Sequence, residues 1–268
     1  MTLLAGFAPD AKGRGVLHLA ALLARSSGEP LVVGAVIPRS WPPGPARVDA
    51  EYHSYLDTTA EEALATARRR IPDDVEATFV AHHARSAPAG LLELASEHDA
   101  RAIVLGPLGS TAHRLLHSST VPVALAPKGF RTAPGARVRR VTVAFGGSDP
   151  SLIEAASREA ERVGASLRVA SFAVRAHAPY TSGVGAEGQG GVLDEWEEEI
   201  RAAVPDGLDV VIAQGSDWED AIEEVEWSDG DVLVVGSSSI GPVAQLFLGS
   251  RAAKIIRHAP VPVVMVPR

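Results

Sequence analysis

Apolar runs with no polar alternation recur along the chain. They span Leu3 to Phe7, Leu31 to Ile37, Ala102 to Leu105, Val141 to Phe145, Asp231 to Gly236 and Val261 to Val266. Such runs predict strands buried on both faces, as a parallel sheet requires. Val75 to Ala81, the stretch around Leu167 to Val169, and Leu208 to Ala213 read as further strands. Between them lie segments of helical period. Gly15 to Arg25 places Val16, Leu19, Ala20 and Leu23 on one face. Asp57 to Arg70, Pro88 to Glu97, Leu152 to Val163, Leu193 to Val204 and Asp217 to Val225 follow the same rule, and a short helix opens at Gly249 and Ser250. Trp41 to Pro45 is too rich in proline for either element, and Pro179 to Gly191 reads as a glycine-rich loop. Strand and helix alternate throughout, which implies parallel sheet with helices on both faces.

The chain also repeats itself. Gly109, Ser110, Ala112, Val121, Pro122, Val123 and Pro127 match Gly249, Ser250, Ala252, Val261, Pro262, Val263 and Pro267 at a constant offset of 140. Gly28, Leu31 and Val33 match Gly164, Leu167 and Val169. The expected organisation is one domain over 1–130, a linker over 131–140 and a second domain over 141–268. Lys128 to Arg140 carries five basic residues and no acidic one, and reads as a solvated connection, with a small anion-binding patch as the alternative.

Composition narrows the chemistry. With 268 residues and 46% hydrophobic content the chain can bury two cores of ordinary domain size. A net charge of −8 disfavours nucleic acid or an anionic membrane as main partner. The chain has no cysteine, which excludes disulfides and thiolate sites, and no run approaches a membrane span. MTLLAGFAPDAKGRG lacks the pattern of a secretion signal, so a cytoplasmic location is expected.

Several motifs fall short of their templates. Gly183 to Gly188 fits G-x-G-x-x-G but lies past the second strand of its half, not after the first. Gly236 and Gly241 are spaced as in a P-loop, but Pro242 and Val243 stand where lysine and a hydroxyl residue are needed. Phe145 to Asp149 partly resembles the pyrophosphate loop of adenylating enzymes, although a glycine turn before a helix capped near Ser151 accounts for it equally. His113 and His117 share a helical face without a third metal ligand, and His82 and His83 point to opposite faces of a strand.

Gly236-x2-Ser239-x9-Gly249-Ser250, between a strand ending Val-Val-Gly and a closing Pro-Val-Pro-Val-Val, resembles the universal stress protein family. The resemblance implies two tandem Rossmann-like domains of the adenine nucleotide alpha hydrolase type. Each would be a five-stranded parallel sheet of order 3-2-1-4-5. It further implies ATP across the sheet rim of the second half, with phosphates near Gly236, Ser239, Gly249, Ser250 and Arg251, and adenosine near Ala144, Phe145 and Gly146. Thirteen positions separate Gly236 from Gly249 but only three separate Gly106 from Gly109, so the first half is not expected to hold ATP in this manner. Neither nucleophile nor metal cluster is evident, so a regulatory binding protein is expected. A scaffold without nucleotide is the alternative, and an adenylating enzyme a third reading. The resemblance also implies that the last strands, Val121–Ala126 and Val261–Val266, pair within the chain as a pseudo-dimer. Whether two chains associate further stays open.

Overall fold

A computed structural model of the chain describes residues 1–8, 14–39, 46–147, 150–174, 186–237 and 246–267. The first half runs β1 (Thr2–Gly6), α1 (Arg14–Ser27), β2 (Leu31–Pro38), α2 (Ala46–Arg68), β3 (Ala77–Ala84), α3 (Ala87–Glu97), β4 (Ala100–Leu105), α4 (Ser110–Leu115) and β5 (Val123–Leu125). The second runs β6 (Arg140–Ala144), α5 (Ser151–Val163), β7 (Ser166–Val174), α6 (Ala186–Ala203), β8 (Asp209–Gly215), α7 (Trp218–Glu223), β9 (Asp231–Gly236), α8 (Ser250–His258) and β10 (Val263–Val266).

Each half has strand order 3-2-1-4-5, and the two sheets are one. The full order is β3-β2-β1-β4-β5-β10-β9-β6-β7-β8, ten strands in a single sheet. Every pair is parallel except β5 with β10, where Val263 faces Leu125, Val264 faces Ala124 and Met265 faces Val123. These are repeat-equivalent residues meeting about Ala124 and Val264, so the join is self-complementary. The repeat extends to single hydrogen bonds. The Phe7 N–H donates to Gly34 O and the Phe145 N–H to Ala170 O, each at 2.9 Å. Gly28 and Gly164 both hold a positive φ, 70° and 68°, where a side chain would be strained as the first helix of each half turns into the second strand.

The apolar interior is not divided between the halves as two separate cores. One cluster, containing Leu19, Val33, Val104, Val143, Ile153 and Val169, covers one sheet face, and another, containing Leu4, Leu94, Ile103, Leu233, Ile255 and Met265, covers the other. Both clusters run through both halves because the shared sheet does.

Three elements differ from the sequence reading. Helix α2 starts at Ala46, eleven residues before the expected Asp57, since no proline or glycine interrupts 46–56. Helix α6 starts at Ala186, so 186–191 of the expected glycine loop are helical, while 179–185 and the Trp41–Pro45 loop lie outside the described residues. The joining segment is largely exposed, as expected, but it is pinned to α1 near its end. Val138 is 6% exposed and its N–H donates to Ser26 Oγ at 2.8 Å, while Arg25 Nη1 donates to Ala136 O at 3.0 Å. Arg137 adds a hydrogen bond to the Arg25 carbonyl. Arg25 is itself held by a two-pronged pair with Asp74, at 2.6 and 2.9 Å. At the end of α1 the Arg25 carbonyl and the Ser26 hydroxyl accept from the segment, and the Arg25 guanidinium donates back to it.

Candidate functional site

The order 3-2-1-4-5 places a switch point in each half, where the chain leaves the first strand to one side and reaches the fourth on the other. Crevices outside the carboxyl ends of such strands are the usual ligand sites of open α/β sheets. In the second half this point lies between β6 and β9. Gly236 ends β9, and a methyl group added there would stand 3.2 Å from Leu152 Cδ2. A methyl added at Gly146, just past β6, would stand 3.4 Å from Arg251 Nη1. Residues 105 positions apart in sequence are thus brought to one rim. Gly249 precedes α8 with φ −74° and ψ 162°, and no side chain among the described residues caps the helix. Its first N–H groups therefore face outward with their positive dipole end. Ser250 and Arg251 are exposed on this first turn.

The other expected residues are placed differently. Ala144 is half-buried at the end of β6. Phe145 is 4% exposed and belongs to the core; its N–H donates to Ala170 O, and its carbonyl accepts from Ser171 Oγ at 2.6 Å. It shapes the rim from beneath and offers it neither backbone group. Ser239 lies outside the described residues, as do Ser148 and Asp149 of the glycine turn. Pro150, not Ser151, stands at the cap of α5. Where description resumes, the Phe247 N–H donates to Ser237 Oγ at 2.7 Å, and the Leu246 N–H donates to Ser119 O at 2.8 Å. Ser237 clips the two ends of the β9–α8 connection together, and Leu246 fastens it to the first half.

The first half has its own cleft at the equivalent place, with a volume of about 1230 Å³, beneath the ends of β1, β2 and β4. Phe7, Ile37, Leu56 and Phe130 give it apolar walls. Gly106 to Gly109 form only a tight turn on its floor, as their spacing implies. Among the described residues its charged lining is Arg14, Lys128 and Arg131. None of the three was singled out by motif; the charge bias of Lys128 to Arg140 was the available signal for Lys128 and Arg131, and Arg14 had none.

The histidines behave as paired surface and seam groups. His82 Nε2 meets Glu93 at 2.7 Å and His83 Nε2 meets Asp57 at 3.1 Å, partners that sit on α3 and α2, on opposite sides of the sheet. His113 and His117 have ring centres 4.8 Å apart, but α4 ends at Leu115, so His117 lies beyond it. His117 packs edge-on against Phe247 at 5.1 Å, and burial, then His113, lowers its pKa. Among the described residues no group of three or more His, Cys, Asp or Glu is placed to hold a metal ion.

A profile of the universal stress protein family matches residues 137–267. Over a 292-residue alignment the chain is 35% identical to a universal stress protein of Mycobacterium tuberculosis, covering 100% of both. A universal stress protein of Thermus aquaticus is 29% identical over 137 residues, which span 48% of this chain and 98% of that one. Among solved structures, a universal stress protein from Archaeoglobus fulgidus aligns over 100% of this chain and 96% of its own, with TM-score 0.65 and 21% identity. A Pseudomonas aeruginosa structure covers 99% and 92%, with TM-score 0.56 and 14% identity. The two structural likenesses bear on the fold alone.

Proposed function

Because the chain belongs to the universal stress protein family, we propose that it is a regulatory binding protein that holds one adenine nucleotide, ATP, at the sheet rim of its second half. The observation that carries this reading is the approach of Arg251 to Gly146, which closes a glycine-lined rim beside the uncapped start of α8. Glycine at 146 leaves room for a ligand to lie against the backbone, and a side chain there would meet the guanidinium. The N–H groups of Ser250 and Arg251 and the Ser250 hydroxyl supply donors for phosphate, while Arg251 supplies charge. Phe145 stiffens the floor through its bonds to Ala170 and Ser171. These groups bind and orient. None of them is a general base, so the reading is of a nucleotide sensor and not of a catalyst.

The test is Gly249→Val in the full chain. A φ of −74° is open to any residue, so the variant keeps its fold, whereas a branched side chain blocks the approach to the first turn of α8. Calorimetric titration with ATP is expected to show at least about a tenfold loss of affinity, the equivalent of one charged hydrogen bond. Unchanged affinity removes the site. A chain that releases no adenine nucleotide after purification and titrates with none favours the scaffold reading, for which the fastening of Leu246 to Ser119 across the halves already speaks.

A further inference from the structure

Side chains alternate between the two faces of a sheet along each strand. At the seam, Val123, Leu125, Val263 and Met265 face one apolar layer and are buried, whereas Val264 and Val266, facing the other, are only half-buried. The spacing of the helices accounts for the difference. Helix α1 packs on β1 and α5 on β6, and five strand intervals separate those two strands. At about 4.8 Å each this is about 24 Å, and a helix is only about 10–12 Å across. The two helices meet at their C-terminal ends, where Arg162 Nη1 donates to Ser27 O at 3.3 Å. Between them a cavity of about 430 Å³ stays open over β5 and β10. Among the described residues it shares no lining with the first-half cleft or the second-half rim.

Its walls are aliphatic, from Leu3, Leu23, Leu152, Val234, Val264 and Val266. Among the described residues no aromatic side chain lines it, and five charged ones do. A flat ring would find no aromatic face to stack on, whereas an alkyl chain packs well on such walls. Four of the charged residues neutralise one another across the halves. Arg101 Nη1 donates to Glu29 Oε1 at 3.3 Å, Arg101 also bonds to Glu159, and Arg162 Nε donates to Glu159 Oε2 at 3.2 Å. The fifth is Arg158, one turn before Arg162 on α5. It is exposed, and it makes no hydrogen bond or ion pair among the described residues. The cavity therefore offers an apolar body one free positive charge at its edge.

We propose that the seam cavity binds a medium-chain aliphatic carboxylate, its chain lying over β5 and β10 and its carboxylate on Arg158. The volume of about 430 Å³ falls within the range of roughly 300–1,000 Å³ typical of small-ligand pockets, which favour domain interfaces and mostly apolar linings. A guanidinium matches a carboxylate through two parallel hydrogen bonds, so one arginine is enough to orient the head. The ligand touches both halves, and its site stands whether or not the second half binds ATP.

The experiment is calorimetric titration of the full chain with decanoate. Saturable binding of one decanoate per chain is expected, with the melting temperature rising as the ligand is added. Octanoate, two methylenes shorter, should bind at least about tenfold more weakly. Decyltrimethylammonium, with the same chain and the opposite charge, should also bind at least about tenfold more weakly. Arg158→Glu, at an exposed position, should keep cooperative melting and lose at least about tenfold in affinity for decanoate. Val264→Phe should fill the cavity and weaken decanoate at least about tenfold. If that chain melts early, Ala155→Trp, at an exposed lining position on α5, blocks the same space. No binding up to millimolar decanoate, equal affinity for decyltrimethylammonium, or unchanged affinity in Arg158→Glu or in the filled chain would overturn the proposal. So would a self-association that Arg158→Glu abolishes while decanoate fails to bind, since a second copy would then cover this face. Decanoate affinity should be unchanged in Gly249→Val, which keeps this test apart from that of the second-half site.

Discussion

At the scale of single residues, the charge cluster at Asp231 shows what the interior tolerates. Asp231 is 2% exposed and accepts from Arg140 Nη2 at 2.5 Å and from the Ser228 N–H at 2.9 Å. Arg168, 3% exposed, lies 4.0 Å from the same carboxylate and stacks over Trp227 at 5.3 Å. The Asp231 hydrogen bond raises the Arg140 pKa, while burial, then Arg140, lowers that of Arg168. Removing the shared anion leaves the buried Arg168 beside the partly exposed Arg140 with no charge between them. Asp231→Ala is therefore expected to cost about 3 kcal/mol or more, read as a lower urea midpoint with unchanged slope. His117 gives a pH signature. Burial holds its folded pKa below the ordinary value of about 6.5, so the unfolded chain binds the proton first. Stability is full above about pH 6.5 and falls as the pH drops below it toward the folded pKa. The melting temperature should decline on acidification from about pH 7 to pH 5.5, and His117→Leu should decline less. The resemblance grouped Gly146, Gly249 and Arg251, and the structure brings Gly146 and Arg251 to one rim. The resemblance misplaced Phe145, since an aromatic next to a glycine turn looks the same whether it faces ligand or core.

At the scale of elements, the strands were legible, although β3 runs to Ala84, past the expected Ala81, and β7 runs to Val174, past the matched Val169. A doubly buried strand can contain little but Val, Leu, Ile and Ala, and β2 and β9 read so in the sequence. Helix α6 was legible only from Leu193 onward. Glycine has poor helix propensity, so Gly188, Gly190 and Gly191 argued for a loop that the continuing helix overrode. The joining segment was read only in part. Its proline, glycines and charges are those of a solvated connector, as most of it is, and nothing local announces that Val138 will be covered. The information sits 112 positions away, in the Ser26 hydroxyl that accepts from the Val138 N–H and donates to Leu22 O at 2.6 Å. Ser26→Ala should leave that buried N–H unpaired and cost about 1–3 kcal/mol, checked by thermal melting. A much smaller cost would mean that the segment is held by its arginines alone.

At the scale of the whole molecule, the duplication was legible and its consequence for the core was not. Matching segments at a constant offset announce two copies, but a repeat in sequence does not state whether the copies bury their interiors singly or jointly. The pairing of β5 with β10 decides it, by merging two five-stranded sheets and letting each apolar layer run across the seam. Strands β3 and β8 are left as the outer edges. Two copies that met through the same strand from separate chains would come apart on dilution, because mass action would favour the lone halves. Here the encounter is intramolecular, and every molecule carries its own complement at a fixed effective concentration. The melting temperature should hence be the same across about a hundredfold range of protein concentration. The seam stays shut when the protein is scarce, so the rims at the two switch points keep their shape whether a cell holds many copies or few.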